Sequence, residues 1–270
     1  YTQTDESVKI DLWDQGLKFS VQSAVKWQGP WGTPENVDFQ VLTTEVAYPK
    51  IDVIDAVTSW KPGDKVVFAS TDYSWKQAEE KTVYPCTDCN NNQFRVDGAF
   101  KYSHFGEIVD GADERGEVAL LTRKIVIEGK MEESCYGNSE REKELCGLFK
   151  IDTLGGHLKV HRNFSSAHIE GAEFYHMGQQ NEIGNYPIHF HMCDDVDGAS
   201  VRHNSIHHTF GRCITIHGTD GLNVTDNVCY DHLGHGYFLE DSAEQRNILD
   251  GNIGISTKYG ALILSDPYRY

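Results

Sequence analysis

The hydrophobic and polar positions of this chain alternate in short runs with a period of two, where a helix would show a period of 3.6. In Ile188-His189-Phe190-His191 the two apolar residues face one way and the two histidines the other, and similar runs are separated by turns rich in Gly and Asn. Three segments align without gaps when anchored on an asparagine. Asn204 opens NSIHHTFGRCITIHG, Asn227 opens NVCYDHLGHGYFLED and Asn252 opens NIGISTKYGALILSD, so the anchors lie 23 and 25 residues apart. Val201, Val224 and Leu249 stand three positions before the anchors; a less regular copy from Ala172 to YPIHFH has Ile169 in the same place. A period of 20-odd residues with strands this short predicts a solenoid. Leucine-rich repeats share the length but need leucines at fixed offsets and a helical return segment, and neither occurs. The pattern therefore predicts an all-β chain, a right-handed parallel β-helix.

The segments KIVIEG (124–129) and 155–174 have the same short-strand, tight-turn character, and Trp60-Lys-Pro-Gly-Asp-Lys-Val-Val-Phe reads as a turn followed by a buried strand. The expected organisation is an irregular β segment over 1–48 that caps the solenoid and a β-helix domain over 49–270, with loop excursions near 74–115 and 132–148.

Stacking the aligned strands about 4.8 Å apart predicts that Ile214, Ile216, Tyr237 and Leu239 point inward. His191, His217 and Glu240 then share one outer column, with His189 beside them across from Thr215. Three imidazoles and a carboxylate are a donor set for a divalent metal, so His189, His191, His217 and Glu240 are the candidate ligands of a zinc-like ion. The same face also fits metal-free acid/base chemistry, with Glu240, Asp241, His191 and His217 as candidate catalytic residues, because a held carboxylate can protonate a glycosidic oxygen. The bland alternative is a row of solvated polar residues. Tyr186, His208, Arg212, Asp231, His232 and His235 are the candidate substrate-binding residues around the cleft; His207 could help wall it, with Arg202, Arg212 and Lys258 as nearby cations and Tyr186 as a stacking surface for sugar. Asp194, Asp195 and Asp197 could hold calcium but lack the spacing of an EF-hand loop.

Composition narrows the partners. A formal net charge of -17 argues against nucleic acid and requires a local basic or metal-bearing groove for any polyanionic substrate. No apolar run is long enough for a membrane helix. The chain starts at Tyr1 without a signal-peptide pattern, as a processed segment would. Cys86/Cys89 and Cys135/Cys146 read as two loop disulfides, a zinc knuckle at Cys86/Cys89 being the rival; Cys193, Cys213 and Cys229 are left unassigned. With the sequons Asn163-Phe-Ser and Asn223-Val-Thr they predict an extracellular glycoprotein.

Several ordered motifs carry a resemblance to a known family: Ser59-Trp-Lys-Pro-Gly-Asp, Ala69-Ser-Thr-Asp-Tyr-Ser, Gln77-Ala-Glu-Glu, Gly106-Glu-Ile-Val-Asp-Gly, His176-Met-Gly-Gln-Gln, Tyr186-Pro-Ile-His-Phe-His, Ser205-Ile-His-His-Thr-Phe and Glu240-Asp. From about residue 49 to residue 266 the chain resembles the cell migration-inducing, hyaluronan-binding proteins and their transmembrane relative, the cell-surface hyaluronidase. The resemblance implies a secreted or cell-surface β-helix protein that binds and depolymerises hyaluronan or a related glycosaminoglycan, with calcium dependence. Endo-acting hydrolysis, lyase cleavage and a non-catalytic binding module are the readings it leaves open, as is a metal that serves only to staple the fold.

Overall fold

A computed structural model describes residues 48–129, 155–180 and 182–258, together with the backbone of Leu12–Asp14 and Leu17–Phe19, which pair as an antiparallel hairpin. The Cys135/Cys146 pair, the excursion 132–148 and most of the 1–48 segment lie outside the described residues. The chain divides into two compact units, Tyr1–Lys65 with Lys81–Lys101 and Val66–Glu80 with Tyr102–Tyr270.

In the first unit the strand Lys50–Asp52 runs antiparallel to Gln93–Val96, whose Arg95 and Val96 lie opposite Tyr84 and Val83. The turn predicted at Lys61-Pro-Gly-Asp forms with Gly63 at φ 96°, a conformation that glycine adopts without a Cβ penalty, and the Asp64 carboxylate accepts the Lys61 amide proton at 2.7 Å. Cys86 and Cys89 are joined as a disulfide, which removes the thiolates a zinc knuckle would need.

The second unit contains the β-helix. Sheet B comprises Leu158–His161, Ile188–Asp195, Ile214–Asp220 and Tyr237–Leu239; sheet C comprises His168–Glu170, Ser200–Arg202, Asn223–Thr225 and Ile248–Asp250. Sheet A comprises Ile125–Glu128, Ala172–Tyr175, Ser205–His207, Val228–Tyr230 and Ile253–Ile255. All these neighbours pair in parallel, and the chain visits B, C and A in turn through successive coils. Parallel stacking starts at Ile125, whereas the described strands between 50 and 120 pair antiparallel.

The alternation read from the sequence decides which side chains enter the core. Ile188, Phe190, Ile214 and Ile216 are fully buried between the sheets, with Phe174, Val201, Ile206 and Val224. Each such side chain contributes roughly 1.5–3 kcal/mol by leaving water. Tyr237 turns inward as expected, and its hydroxyl reaches the carbonyls of Asn227 and Ile253 at 2.8 and 3.0 Å. Cys213 and Cys229, which spacing alone left unassigned, form a disulfide inside the coils; Cys193 is a buried free thiol.

The repeat anchors form a buried amide ladder at the corner between sheets C and A. Asn204 Nδ2 donates to Asn227 Oδ1 at 3.0 Å, and Asn227 Nδ2 donates to Asn252 Oδ1 at 2.9 Å. Each side chain also donates across the corner to the residue three positions before a neighbouring anchor, at the carbonyls of Ile169, Val201 and Val224. The asparagine is therefore required where the coil turns in a dry interior, since a buried backbone group there has no water to satisfy it.

One consequence escaped the alternation argument: a side chain that points out of the coil need not meet solvent. The strands Lys65–Phe68 and Val118–Leu120 pair antiparallel, and Val67, Ala119 and Leu121 pack against Val228, Tyr230 and Ile255 on the outer face of sheet A. Among the described residues no helix is long and apolar enough to cross a membrane.

Candidate functional site

Sheet B carries the histidine face. His191 pairs in register with His217 and His189 with Thr215, and the Glu240 amide donates to the Ile216 carbonyl at 2.9 Å, which continues the strand past Leu239. The column is longer than the sequence reading made it. His161 pairs with His191 one coil earlier, their rings 5.5 Å apart edge to face, and Lys159 pairs with His189. The signal was present in His157-Leu-Lys-Val-His161, which alternates as Ile188-His-Phe-His191 does.

The distances bring four groups to one point. His191 Nδ1 and His217 Nδ1 are 3.1 Å apart; Glu240 Oε2 lies 3.5 Å from His217 Nδ1 and 3.8 Å from His189 Nε2. Asp241 Oδ2 lies 3.1 Å from His217 Nε2, so the two carboxylates bracket one imidazole. His189 is 1% exposed and Glu240 9%, whereas Asp241 is half exposed.

Hydrogen-bond partners fix where the protons sit. A backbone carbonyl only accepts, so His189 Nδ1–H donates to Gly184 O at 3.0 Å and Nε2 is left as a bare lone pair. Burial holds His189 neutral, with its pKa down to about 4. His217 Nδ1 faces His191 Nδ1 at 3.1 Å, and its Nε2 faces the Asp241 carboxylate. Burial, then the neighbouring His217, lowers the His191 pKa. His189 Nε2 and Glu240 Oε2 are both buried without a hydrogen-bond partner. Two buried acceptors therefore face each other at 3.8 Å beside the His191 and His217 rings, an arrangement that is costly unless a proton or a cation joins it.

The candidate substrate-binding residues separate into two groups. Tyr186, Arg212 and His235 adjoin the histidine column: the Tyr186 ring is 5.0 Å from that of His189, Arg212 donates to the Tyr186 hydroxyl at 2.8 Å, and the His235 ring lies 4.7 Å from that of Phe238. Tyr186 and Arg212 are only 5% and 7% exposed, so the tyrosine offers no open ring for a sugar. Its neighbour Arg212 is stacked 3.9 Å from Phe238. Both side chains are buried, a correction to the stacking role expected for Tyr186.

His208, Asp231 and His232 lie elsewhere, because the A-to-B turns that carry them fold toward sheet A. His208 Nε2 meets Glu80 at 2.9 Å, Asp231 binds Lys258 at 2.9 Å, and the buried His232 ring contacts Thr257 Oγ1 at 3.0 Å. His207, also expected at the cleft, bonds Glu173 at 3.1 Å and the Nδ1 of His208 at 2.8 Å under the layer that covers sheet A. In the acidic loop, Asp195 and Asp197 are both taken by Arg246 at 2.8 Å. Arg202 is likewise occupied by Glu170.

Residues 153–269 match the family model described as CEMIP beta-helix. The chain is 47% identical over 259 residues to the cell surface hyaluronidase CEMIP2 of Homo sapiens, an alignment that covers 93% of this chain and 18% of that relative. It is 47% identical over 232 residues to the cell migration-inducing and hyaluronan-binding protein of Homo sapiens, covering 83% and 17%. To Fibrocystin-L of Homo sapiens it is 31% identical over 264 residues, covering 87% and 6%. The chain thus spans less than a fifth of the length of these relatives. Through the domain that bears the histidine column, the chain belongs to the CEMIP beta-helix family.

Proposed function

We propose that this chain is the extracellular, hyaluronan-active part of its protein, and that the outer face of sheet B depolymerises hyaluronan or a related glycosaminoglycan at internal bonds. The observation that carries the reading is the convergence of His189, His191, His217 and Glu240 on one point, where His189 Nε2 and Glu240 Oε2 are buried without a hydrogen-bond partner. The names of the relatives, one a hyaluronidase and one a hyaluronan-binding protein, supply the substrate class.

The donor set fits a zinc-like ion. The separations of 3.1 to 3.8 Å resemble the edges, about 3.3 Å, of a tetrahedron with bonds of about 2.0 Å, and the His189–Gly184 hydrogen bond is the kind of second contact that orients a metal-bound imidazole. His189, His191 and His217 would hold the ion, with Glu240 as the fourth donor or its neighbour. Bound there, it would lower the pKa of a water toward neutrality. Calcium fits poorly, because it requires six to eight oxygen donors.

The chain's own groups account for the proton transfers. Asp241, half exposed and 3.1 Å from His217 Nε2, is placed in its protonated form to give a proton to the departing glycosidic oxygen, while Glu240 takes one from the water whose oxygen joins the anomeric carbon. Tyr186 and Arg212 hold the His189 side of the face in position.

The test is hyaluronan chain length after incubation with wild type and with Glu240→Gln, each checked for a native circular-dichroism spectrum. Wild type shortens the polymer without a product absorbing in the ultraviolet, and Glu240→Gln loses about 100-fold or more of the rate. Cleavage unchanged in Glu240→Gln removes Glu240 from the chemistry; an absorbing unsaturated product replaces hydrolysis with a lyase reaction. Binding of hyaluronan oligosaccharides without any cleavage, even with zinc supplied, makes the chain a binding module.

A further inference from the structure

A chain of net charge -17 that handles a polyanion needs a local cation, and the cations near the site are mostly occupied. Arg162 pairs with Asp194, Arg202 with Glu170, Arg246 with Asp195 and Asp197, and Lys258 with Asp231. Arg212 is buried against Tyr186 and Phe238. Lys159 differs from all of these: among the described residues its ammonium makes no ion pair or hydrogen bond.

Its position follows from the strand pattern. In Leu158–His161, Leu158 and Val160 pack against the core, so Lys159 and His161 emerge on the outer face, in register with His189 and His191. Gly184 makes room for it. A Cβ built there would stand 3.1 Å from Lys159 Nζ and 3.6 Å from the His189 ring carbon Cε1, and Gly184 has φ 86°, where other residues are strained. The glycine whose carbonyl orients His189 therefore also lets the ammonium pass close to the same imidazole. Its charge adds to the burial that lowers the pKa of His189 and His191.

We propose that Lys159 is a carboxylate subsite, holding a uronate of the polysaccharide one rung, about 4.8 Å, from His189. This rests on the reading of sheet B as the hyaluronan site and adds a basis for specificity. A glycan with acidic sugars at regular intervals anchors one carboxylate on Lys159, beside His161, while the adjoining chain runs along the histidine column toward Glu240. A neutral glycan lacks that anchor.

The experiment measures calorimetric affinity, at low salt, for hyaluronan oligosaccharides and for the same oligosaccharides with their carboxylates converted to methyl esters. Wild type, Lys159→Met and Lys159→Arg are compared. Wild type is expected to prefer the acid form by about tenfold or more, the magnitude of one charge-assisted contact. Lys159→Met should bind both forms as weakly as wild type binds the ester, and Lys159→Arg should keep most of the preference. A Lys159→Met chain with an intact spectrum and an undiminished preference for the acid overturns the subsite and leaves the reading of sheet B standing. Should Lys159→Met fail to fold, Lys159→Gln takes its place with the same expectation. Wild type binding neither oligosaccharide overturns both.

Discussion

Sheets A and B both present histidines on their outer faces, yet the two faces differ in how the second nitrogen of each imidazole is used. On sheet A, His207 bonds Glu173 and His208 bonds Glu80, with the two imidazoles joined through their Nδ1 atoms, so the chain of contacts is closed by a carboxylate at each end. A layer that contains Val67 and Ala119 covers this face. On sheet B, His189 is oriented by a backbone carbonyl and its remaining nitrogen points at Glu240 with nothing between them. The first arrangement closes on the chain's own carboxylates; the second leaves buried polar atoms without a hydrogen-bond partner, which is the basis of the proposed site. Counting histidines does not distinguish them, whereas following each ring nitrogen to its partner does.

Substitution on the two faces should therefore have opposite consequences. His217→Ala is expected to reduce hyaluronan cleavage by a factor of about 100 or more with little change in melting temperature. His207→Ala should leave cleavage near the wild-type rate but lower stability by about 2 kcal/mol, because Glu173 Oε1 would lose its partner while Oε2 kept only the Arg123 amide; chemical denaturation measures this. A variant of either face that showed the other's phenotype would break the comparison.

Acid should act on both faces through the unfolded chain. Burial lowers the pKa of His189 on sheet B and of His232 near sheet A to about 4 in each case. An ordinary histidine titrates near 6.5, so between about pH 6.5 and pH 4 the unfolded chain binds more protons than the folded one. Stability consequently falls as the pH falls through that window and levels off below it, by on the order of 3 kcal/mol for each group. His232→Gln should flatten the slope by about one proton, as read from denaturation midpoints at several pH values. A smaller effect is expected from Glu80→Gln, about 1 kcal/mol, because His208 is partly exposed and retains a contact with Asp231 at 3.8 Å.

Much of sheet B could be read before any coordinates, and the reason is physical. The Asn204, Asn227 and Asn252 anchors fix the coil phase, alternation then fixes the face, and rung spacing brings His191, His217 and Glu240 into one column. His161 and Lys159 are harder to place from sequence because their coil carries Ala172 where later coils have asparagine, which leaves Ile169 and the His157–His161 alternation as its only register marks. Residue type and proximity to the face make Tyr186 and Arg212 candidate substrate contacts, but neither reveals burial, and both are less than a tenth exposed. The covering of sheet A depends on contacts between segments far apart along the chain, and the pairing of Cys213 with Cys229, 16 residues apart, depends on how one coil folds across its interior, which spacing alone does not encode.

The central claim is that sheet B's converging acceptors hold a divalent ion used in cleavage. Its most direct test is metal analysis of the purified chain together with hyaluronan size before and after incubation, for wild type and for the His191→Ala/His217→Ala double variant. The account predicts about one zinc-like ion per wild-type chain and shortened polymer, with both lost in the variant. A wild-type chain that binds no metal when zinc is supplied, or a variant that still cleaves, would contradict it.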